Sequence, residues 1–368
     1  QPIHNMTNNK IRHIFVVNPV AGKGVEAGPL EAKIRDACEG SGAEYEIYMT
    51  SARWDAVDFV RRRITERRSD ETLRFYACGG DGTLCEVATG ILFESLEKEQ
   101  SEELCINSTN DIHSKLSNNL HSSAPIVNNA QMRYHVSTPE NVELGCVPIG
   151  TGNDFVRNFG QNEFFSDITK QLLGEPITID SFGVRLDHER EICGVNMFNV
   201  GFDCDVVCKA AELKKTFLPK KLAYVVGVAA TLVKNKGCTI AVTKENGEKF
   251  TRQFELCTVA NGGYCGGGFF SAPRRRLSDG LLDISLIKKV SRTTFLRLVG
   301  PYKKGTHLGT RLGKRVVGYY QDTGIDLEFA EPTNVSIDGE ISQVKSAKFR
   351  SLPSSLRFVL PVGVTYTD

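Results

Sequence analysis

Leu73-Arg74-Phe75-Tyr76-Ala77-Cys78-Gly79-Gly80-Asp81-Gly82-Thr83 is the stretch on which the reading of this chain turns. The apolar run Leu73 to Ala77 predicts a short buried strand, and the pattern from Leu84 to Leu92 predicts a helix opening directly after the glycines. Glycine has no Cβ and accepts positive φ, so a strand-to-helix turn built from it can aim several N–H groups at a phosphate, with the helix dipole adding to the attraction. The carboxylate of Asp81 would repel a polyphosphate unless a cation stands between them. The turn therefore points to a nucleotide with Mg²⁺ more than to phosphate alone.

Two further strand, loop and helix units precede this one. His13 to Val17 ends at Asn18-Pro19, and Gly22-Lys23-Gly24 leads into the amphipathic stretch Leu30 to Cys38. The spacing is neither a Walker A nor GxGxxG, so by itself this loop is either a phosphate loop or a structural turn. Tyr45 to Arg62 forms the next unit, with Thr50-Ser51 in its loop. From Glu94 to Asn141 the sequence is rich in Ser, Asn, Glu, Gln and His, with little periodicity, and is expected to be a mobile surface insertion.

Order returns with the apolar strand Leu144 to Ile149, followed by Gly150-Thr151-Gly152-Asn153-Asp154-Phe155. In an open α/β sheet ligands gather outside the carboxyl ends of the strands, so two Asp-bearing glycine turns would face one crevice. Asp154 fits either that role or the N-cap of a following helical turn. Beyond Asp180 the texture changes to many short strands, which suggests a β-sandwich or barrel. Val206 to Lys234 is its largest helical exception. Gly262-Gly263 and Gly266-Gly267-Gly268 would suit close backbone approach to a ligand or a tight corner. Ser278-Asp279-Gly280 and Asp338-Gly339-Glu340 each read as ordinary Asp-Gly turns when taken alone.

Composition sets the bounds. A chain of 368 residues is long enough for about two domains, and 40% apolar content is ample for burial. With a net charge of +1, any attraction to nucleic acid or membrane must be local. Eleven cysteines without metal-ligand spacing, several of them in apolar runs, suit reduced thiols in a cytosolic core. Gln1 to Lys10 lacks the apolar segment of a signal peptide, and the longest apolar stretch, Leu222 to Val233, is too short to span a bilayer. A cytoplasmic protein is the expectation. Lys214, Lys215, Lys220 and Lys221 surround Phe217 and Leu218, a pattern of either peripheral membrane contact or a solvated loop. Lys303, Lys304 and His307 form a second, weaker basic group.

Taken in order, Asn18-Pro19, Gly22-Lys23-Gly24, Gly79 to Glu86, Pro148 to Phe155, Gly201-Phe202-Asp203, Asn261-Gly262, Ser278-Asp279-Gly280 and Asp338-Gly339-Glu340 resemble the diacylglycerol kinase catalytic family, in particular its soluble bacterial lipid kinases. The likeness extends over nearly the whole chain outside the insertion. It implies an α/β + β fold: an N-terminal Rossmann-like (phosphofructokinase-like) nucleotide domain, residues 1–180 plus 350–368 with the insertion 94–141, then a C-terminal β-sandwich domain, residues 181–349. The active site would lie in the cleft between them.

By the same resemblance ATP would be held by Asn18, Pro19, Val20, Ala21, Gly22, Lys23, Thr50, Gly80, Asp81, Gly82, Thr83, Leu84, Cys85, Glu86 and Thr151. Mg²⁺ would be organised by Asp81 and Asp154, with Asp180 and Asp279 supplying an acidic network from the second domain, and a structural Mg²⁺ would lie on Asp279 and the backbone carbonyls of Arg276 and Leu281. Glu340 matches the glutamate proposed as general base. The implied activity is an ATP-dependent lipid kinase acting on a lipid hydroxyl at a membrane surface, most simply diacylglycerol, without a nucleic-acid partner and with pairing of two protomers open. An NAD kinase and a catalytically silent lipid-binding paralogue are the competing readings.

Overall fold

The structure is a computed structural model that describes residues 10–22, 24, 27–98, 136–160, 162–201 and 237–367. Strands β1 (Lys10–Val17), β2 (Glu44–Met49), β3 (Glu71–Gly79) and β4 (Val142–Pro148) lie parallel in the order β4-β3-β1-β2. Helices α1 (Ala27–Ser41) and α2 (Asp55–Thr65) and the helix α3, residues 81–98, connect or follow them. The strand period of two divides the side chains cleanly. Ile14, Val16, Phe75 and Ala77 pack with α2 and α3, whereas Phe15, Val17, Tyr76 and Cys78 pack with Leu30, Ile34 and Cys38 of α1. The chain reverses its direction of travel across the sheet between β1 and β3. The loops after those strands, 18–22 and 79–83, therefore flank the switch point at which open parallel sheets leave a crevice.

Helix α3 runs past the expected end at Leu92 to residue 98, because Leu92, Phe93 and Leu96 are all buried. Val136 is buried as well, and Val142 already opens β4. Both ends of the segment read as an insertion are thus part of the packed body.

After α4 (Asn162–Phe165) and α5 (Ile168–Leu172) come β5 (Glu175–Leu186), β6 (Ile192–Gly194), β7 (Met197–Gly201), β8 (Cys238–Lys244), β9 (Lys249–Ala260), the small hairpin β10 (Tyr264–Cys265) and β11 (Phe269–Phe270), and β12 (Leu282–Lys288). Helices α6 (Arg292–Lys303) and α7 (Arg311–Val316) precede β13 (Val317–Asp322), β14 (Gly324–Ile337) and β15 (Glu340–Leu360). The second half is therefore rich in β structure. Strands β9 and β14 each pair with β8 along their first part and with β7 along their last, so the sheet closes on itself around Phe198, Val259, Ile284 and Phe349. Pro332 lies at the break in the β14–β15 register, where a ladder N–H is not needed.

Helix α6 was not foreseen, since Thr293, Thr294, Gly300 and Pro301 dilute its pattern. It forms because Phe295, Leu298 and Tyr302 share a buried face and the Ser291 hydroxyl accepts from the amide of Thr294, capping the helix. Strand β15 joins the two halves. Its first part pairs with β14, and Phe358 near its end lies beside Leu144 of β4 in the first core.

Candidate active site

Three turns at the carboxyl ends of the parallel strands are locked together. The amides of Ile149 and Gly150 both donate to the carbonyl of Gly79, at 3.0 Å each. Gly80 and Gly150 meet backbone to backbone, and a Cβ on Gly150 would stand 2.5 Å from the Gly80 Cα. Across the switch point, Asn18 donates its side-chain amide to the Thr83 hydroxyl at 3.3 Å and its backbone amide to the Cys78 carbonyl. The Asn18 side-chain oxygen accepts from the amide of Val20, which sets the start of the first loop. Thr50 closes the same edge through its amide to the Val17 carbonyl. Thr151 and Val20 are exposed on the rim. Lys23 lies outside the described residues, as do Phe202 and Asp203 and the basic segment 214–221.

Asp81 is the clasp between the second and third of these turns. Its two carboxylate oxygens accept the amides of Asp154 (2.8 Å) and Phe155 (2.9 Å). Burial outweighs these donors and pushes the Asp81 carboxyl up to about 6, with the Asp154 charge adding to the effect. Asp154 does not cap the helical turn that follows it. Its oxygens accept instead from Arg157 Nε (3.1 Å) and from the amide of Gly267 (2.8 Å), so the glycine hairpin of the second half is tied to the first.

Gly152 separates the two carboxylates, and a Cβ there would lie 3.4 Å from Asp154 Oδ2 and 3.6 Å from Asp81 Oδ2. Each of these carboxylate oxygens keeps a lone pair beyond its one amide or guanidinium bond, the donor chemistry a hard cation takes.

The acids of the second half are built into a different place. Asp180 is buried, and its oxygens accept the amides of Gly280 and Ser354, both at 2.6 Å. The Asp279 carboxylate accepts from the amide of Leu281 at 3.0 Å. Arg276 is exposed beside them. Asp81 accepts the amide of Asp154, and Asp180 accepts the amide of Gly280 next to Asp279. Among the described residues no group of three or more His, Cys, Asp or Glu is placed to hold one metal ion. Asn261-Gly262 proves to be a packed corner. Asn261 donates to the carbonyls of Asp180 and Val195, and a Cβ on Gly262 would collide with Asn196.

Glu340 comes to the Gly79–Thr83 turn from the far end of the sequence. Asp338 and Gly339 both have positive φ, 47° and 89°, which makes the link between β14 and β15 a two-residue hairpin. Buried Asp338 accepts the amides of Val195, Asn196 and Met197, and so fixes the hairpin against β7. Burial raises its carboxyl to about 7. The next residue but one, Glu340, lies over the first turn of α3, where a Cβ on Gly82 would be 2.7 Å from Glu340 Oε1. Arg53 Nε stands 3.6 Å from Glu340 Oε2.

The side chains of Leu84, Cys85 and Glu86 are engaged within the protein. Leu84 enters the first core, and Cys85 donates its thiol to the Cys193 carbonyl in the second half. The Glu86 carboxylate accepts the amides of Trp54 and Ala56 at the start of α2, and burial with the nearby Glu340 charge raises its pKa.

A cavity of about 470 Å³ opens beside Glu340 and Arg53. Trp54, Val57, Phe93, Leu186, Ile192 and Ile337 supply its apolar wall. Sequence reasoning missed Arg53, Trp54 and Arg157. Only Arg157 carried a signal, its i,i+3 spacing from Asp154.

Residues 12–184 match the diacylglycerol kinase catalytic domain. They belong to the diacylglycerol kinase catalytic domain family. Residues 196–360 match the YegS C-terminal NAD kinase beta sandwich-like domain. The chain is similar to a "Probable lipid kinase YegS-like" protein of Shewanella frigidimarina, 24% identical over 84% of this chain and 82% of that one. It is also similar to a diacylglycerol kinase of Bacillus subtilis, 22% identical over 94% and 95% of the two chains. A crystal structure titled as a diacylglycerol kinase from Bacillus anthracis superposes with a TM-score of 0.58 at 17% identity, covering 97% of this chain and 98% of that one, and shares the fold. No helix among the described residues is long and apolar enough to cross a membrane.

Proposed function

We propose that this diacylglycerol kinase family chain is an ATP-dependent lipid kinase that phosphorylates a lipid hydroxyl, with diacylglycerol the acceptor to be tried first. The observation that carries the reading is the Glu340 carboxylate lying over Gly82, between the glycine turn and an apolar cavity. The first half acts as a Rossmann-like (phosphofructokinase-like) nucleotide domain. The turns 18–22 and 79–83 hold the phosphates of ATP with their backbone N–H groups, helped by the N-terminal end of α3. Asp81 and Asp154 would hold Mg²⁺, which neutralises charge on the phosphates when bound.

The acceptor's apolar chain fills the cavity walled by Trp54, Val57 and Phe93, leaving its hydroxyl at Glu340. Glu340 takes the hydroxyl proton as the oxygen bonds to the γ-phosphorus. The bond from that phosphorus to the β,γ-bridging oxygen breaks, and ADP leaves. Arg53 holds the free base in place at the cavity mouth.

Incubation of the chain with γ-labelled ATP and Mg²⁺, in separate reactions with diacylglycerol, sphingosine, ceramide and NAD, tests this reading. Label is expected in a lipid and lost in Glu340→Gln. Label in NAD alone would favour the NAD kinase reading, to which the sandwich match lends some support. No transfer to any acceptor would favour a silent lipid-binding protein.

A further inference from the structure

Between Asp283 and Asp322 the chain carries Lys288, Lys289, Arg292, Arg297, Lys303, Lys304, Arg311, Lys314 and Arg315 without one Asp or Glu. Nine cations in succession are out of keeping with a chain whose net charge is +1. Six of them lie on α6 and α7, and Lys304 follows α6 directly. With Phe295, Leu298 and Tyr302 turned inward, the solvent stripe of α6 presents Arg292, Leu296, Arg297, Lys303 and Lys304. Lys314 and Arg315 of α7 are exposed too. Lys289 pairs with Glu255, whereas Arg297, Lys303, Lys304 and Lys314 pair with no described carboxylate. Leu296 is 55% exposed in the midst of these charges.

We propose that the α6–α7 face docks the protein on an anionic phospholipid bilayer, an inference that rests on the lipid-kinase reading for its choice of partner. Cations attract the anionic headgroups, and Leu296 gains by entering the acyl boundary. A phosphate backbone would satisfy the same cations but offers Leu296 nothing apolar to bury. The face also lies close to the chemistry. Helix α6 packs on the β10–β11 hairpin, with the Tyr302 and Phe269 rings 6.4 Å apart and Lys303 Nζ 5.6 Å from the Phe269 ring. The same hairpin donates the Gly267 amide to Asp154. Docking through this face would hold that hairpin, and with it Asp154, near the surface that holds the acceptor.

The test is co-sedimentation of the full chain with phosphatidylcholine vesicles, with and without phosphatidylglycerol. The wild type is expected to bind only the anionic vesicles and to lose binding as salt rises. Arg297→Ala/Lys303→Ala/Lys304→Ala removes three exposed cations, at about fivefold each, and should weaken partition roughly a hundredfold. Its thermal midpoint should match the wild type. Leu296→Ser should weaken binding further at high salt.

Phosphate transfer to a short-chain diacylglycerol in detergent micelles should be unchanged in the triple variant. That separate measurement keeps a failure of docking distinct from a failure of the kinase reading. The proposal is overturned if the triple variant partitions like wild type, or if neutral and anionic vesicles bind alike. It is also overturned if a short DNA duplex displaces the vesicles and the variant loses only the duplex.

Discussion

At the scale of single residues, glycines in this site are explained by what stands in the place of their missing Cβ atoms. Gly82 leaves room for the Glu340 carboxylate, and Gly150 for the backbone of Gly80. On the proposed mechanism the first is a constraint on chemistry, and the second is a constraint on the fold. Gly82→Ala should therefore fold, since alanine suits the first turn of a helix, but it should push Glu340 aside. A displacement of about 1 Å at a reacting group costs roughly a hundredfold in rate. Steady-state kinetics should show that loss in kcat, with the thermal midpoint close to wild type. Asp81 is different, because both its oxygens also hold the amides of Asp154 and Phe155. Its replacement would loosen the third turn, residues 149–155, as well as any cation.

At the scale of elements, α3 serves both halves at once. Leu84, Val87, Ala88 and Ile91 pack in the first core, while Cys85 and Thr89 bond the Cys193 carbonyl of β6. Glu86, on the same helix, caps α2 and holds Trp54 in the left-handed region at φ 68°. A bulky aromatic residue adopts that conformation only under constraint. Glu86→Ala should cost about 1 kcal/mol through the lost cap and let Trp54 relax. Trp54 is the one tryptophan of the chain, so its fluorescence maximum should move while the far-UV spectrum stays as it was. An unmoved maximum would mean that Glu86 does not set this loop.

At the scale of the whole molecule, long-range ties decide both stability and the site. Asp338 links the β14–β15 hairpin to residues 195–197, and burial lifts its folded pKa to about 7, above an unfolded value near ~4. A carboxyl raised in this way favours the folded state at low pH, and that contribution is lost as pH rises through about 7. Urea unfolding of wild type and Asp338→Asn should thus show a stability gap that narrows between about pH 4.5 and 8, by on the order of a few kcal/mol. A gap that widens over the same range would show that the three amide donors, and not burial, dominate.

The strand, glycine turn and helix around Gly79–Thr83 were legible locally, since apolar runs, glycine and helix period are properties of neighbouring residues. So were the β-rich texture after Asp180 and the Asp338-Gly339 hairpin. Helix α6 was not, because its stability comes from burying Phe295, Leu298 and Tyr302 against strands distant in sequence. The places of Glu340 over Gly82, of Arg53 beside it and of Gly267 on Asp154 are likewise invisible to spacing. The sequence by itself determined which residues are candidates for the proposed phosphoryl chemistry and in what order they occur. Only the tertiary structure decided which of them meet, bringing Glu340 over Gly82 and the Asp81 carboxylate to the amide of Asp154. Contacts across some 260 residues are made by packing and strand pairing, which no local pattern encodes.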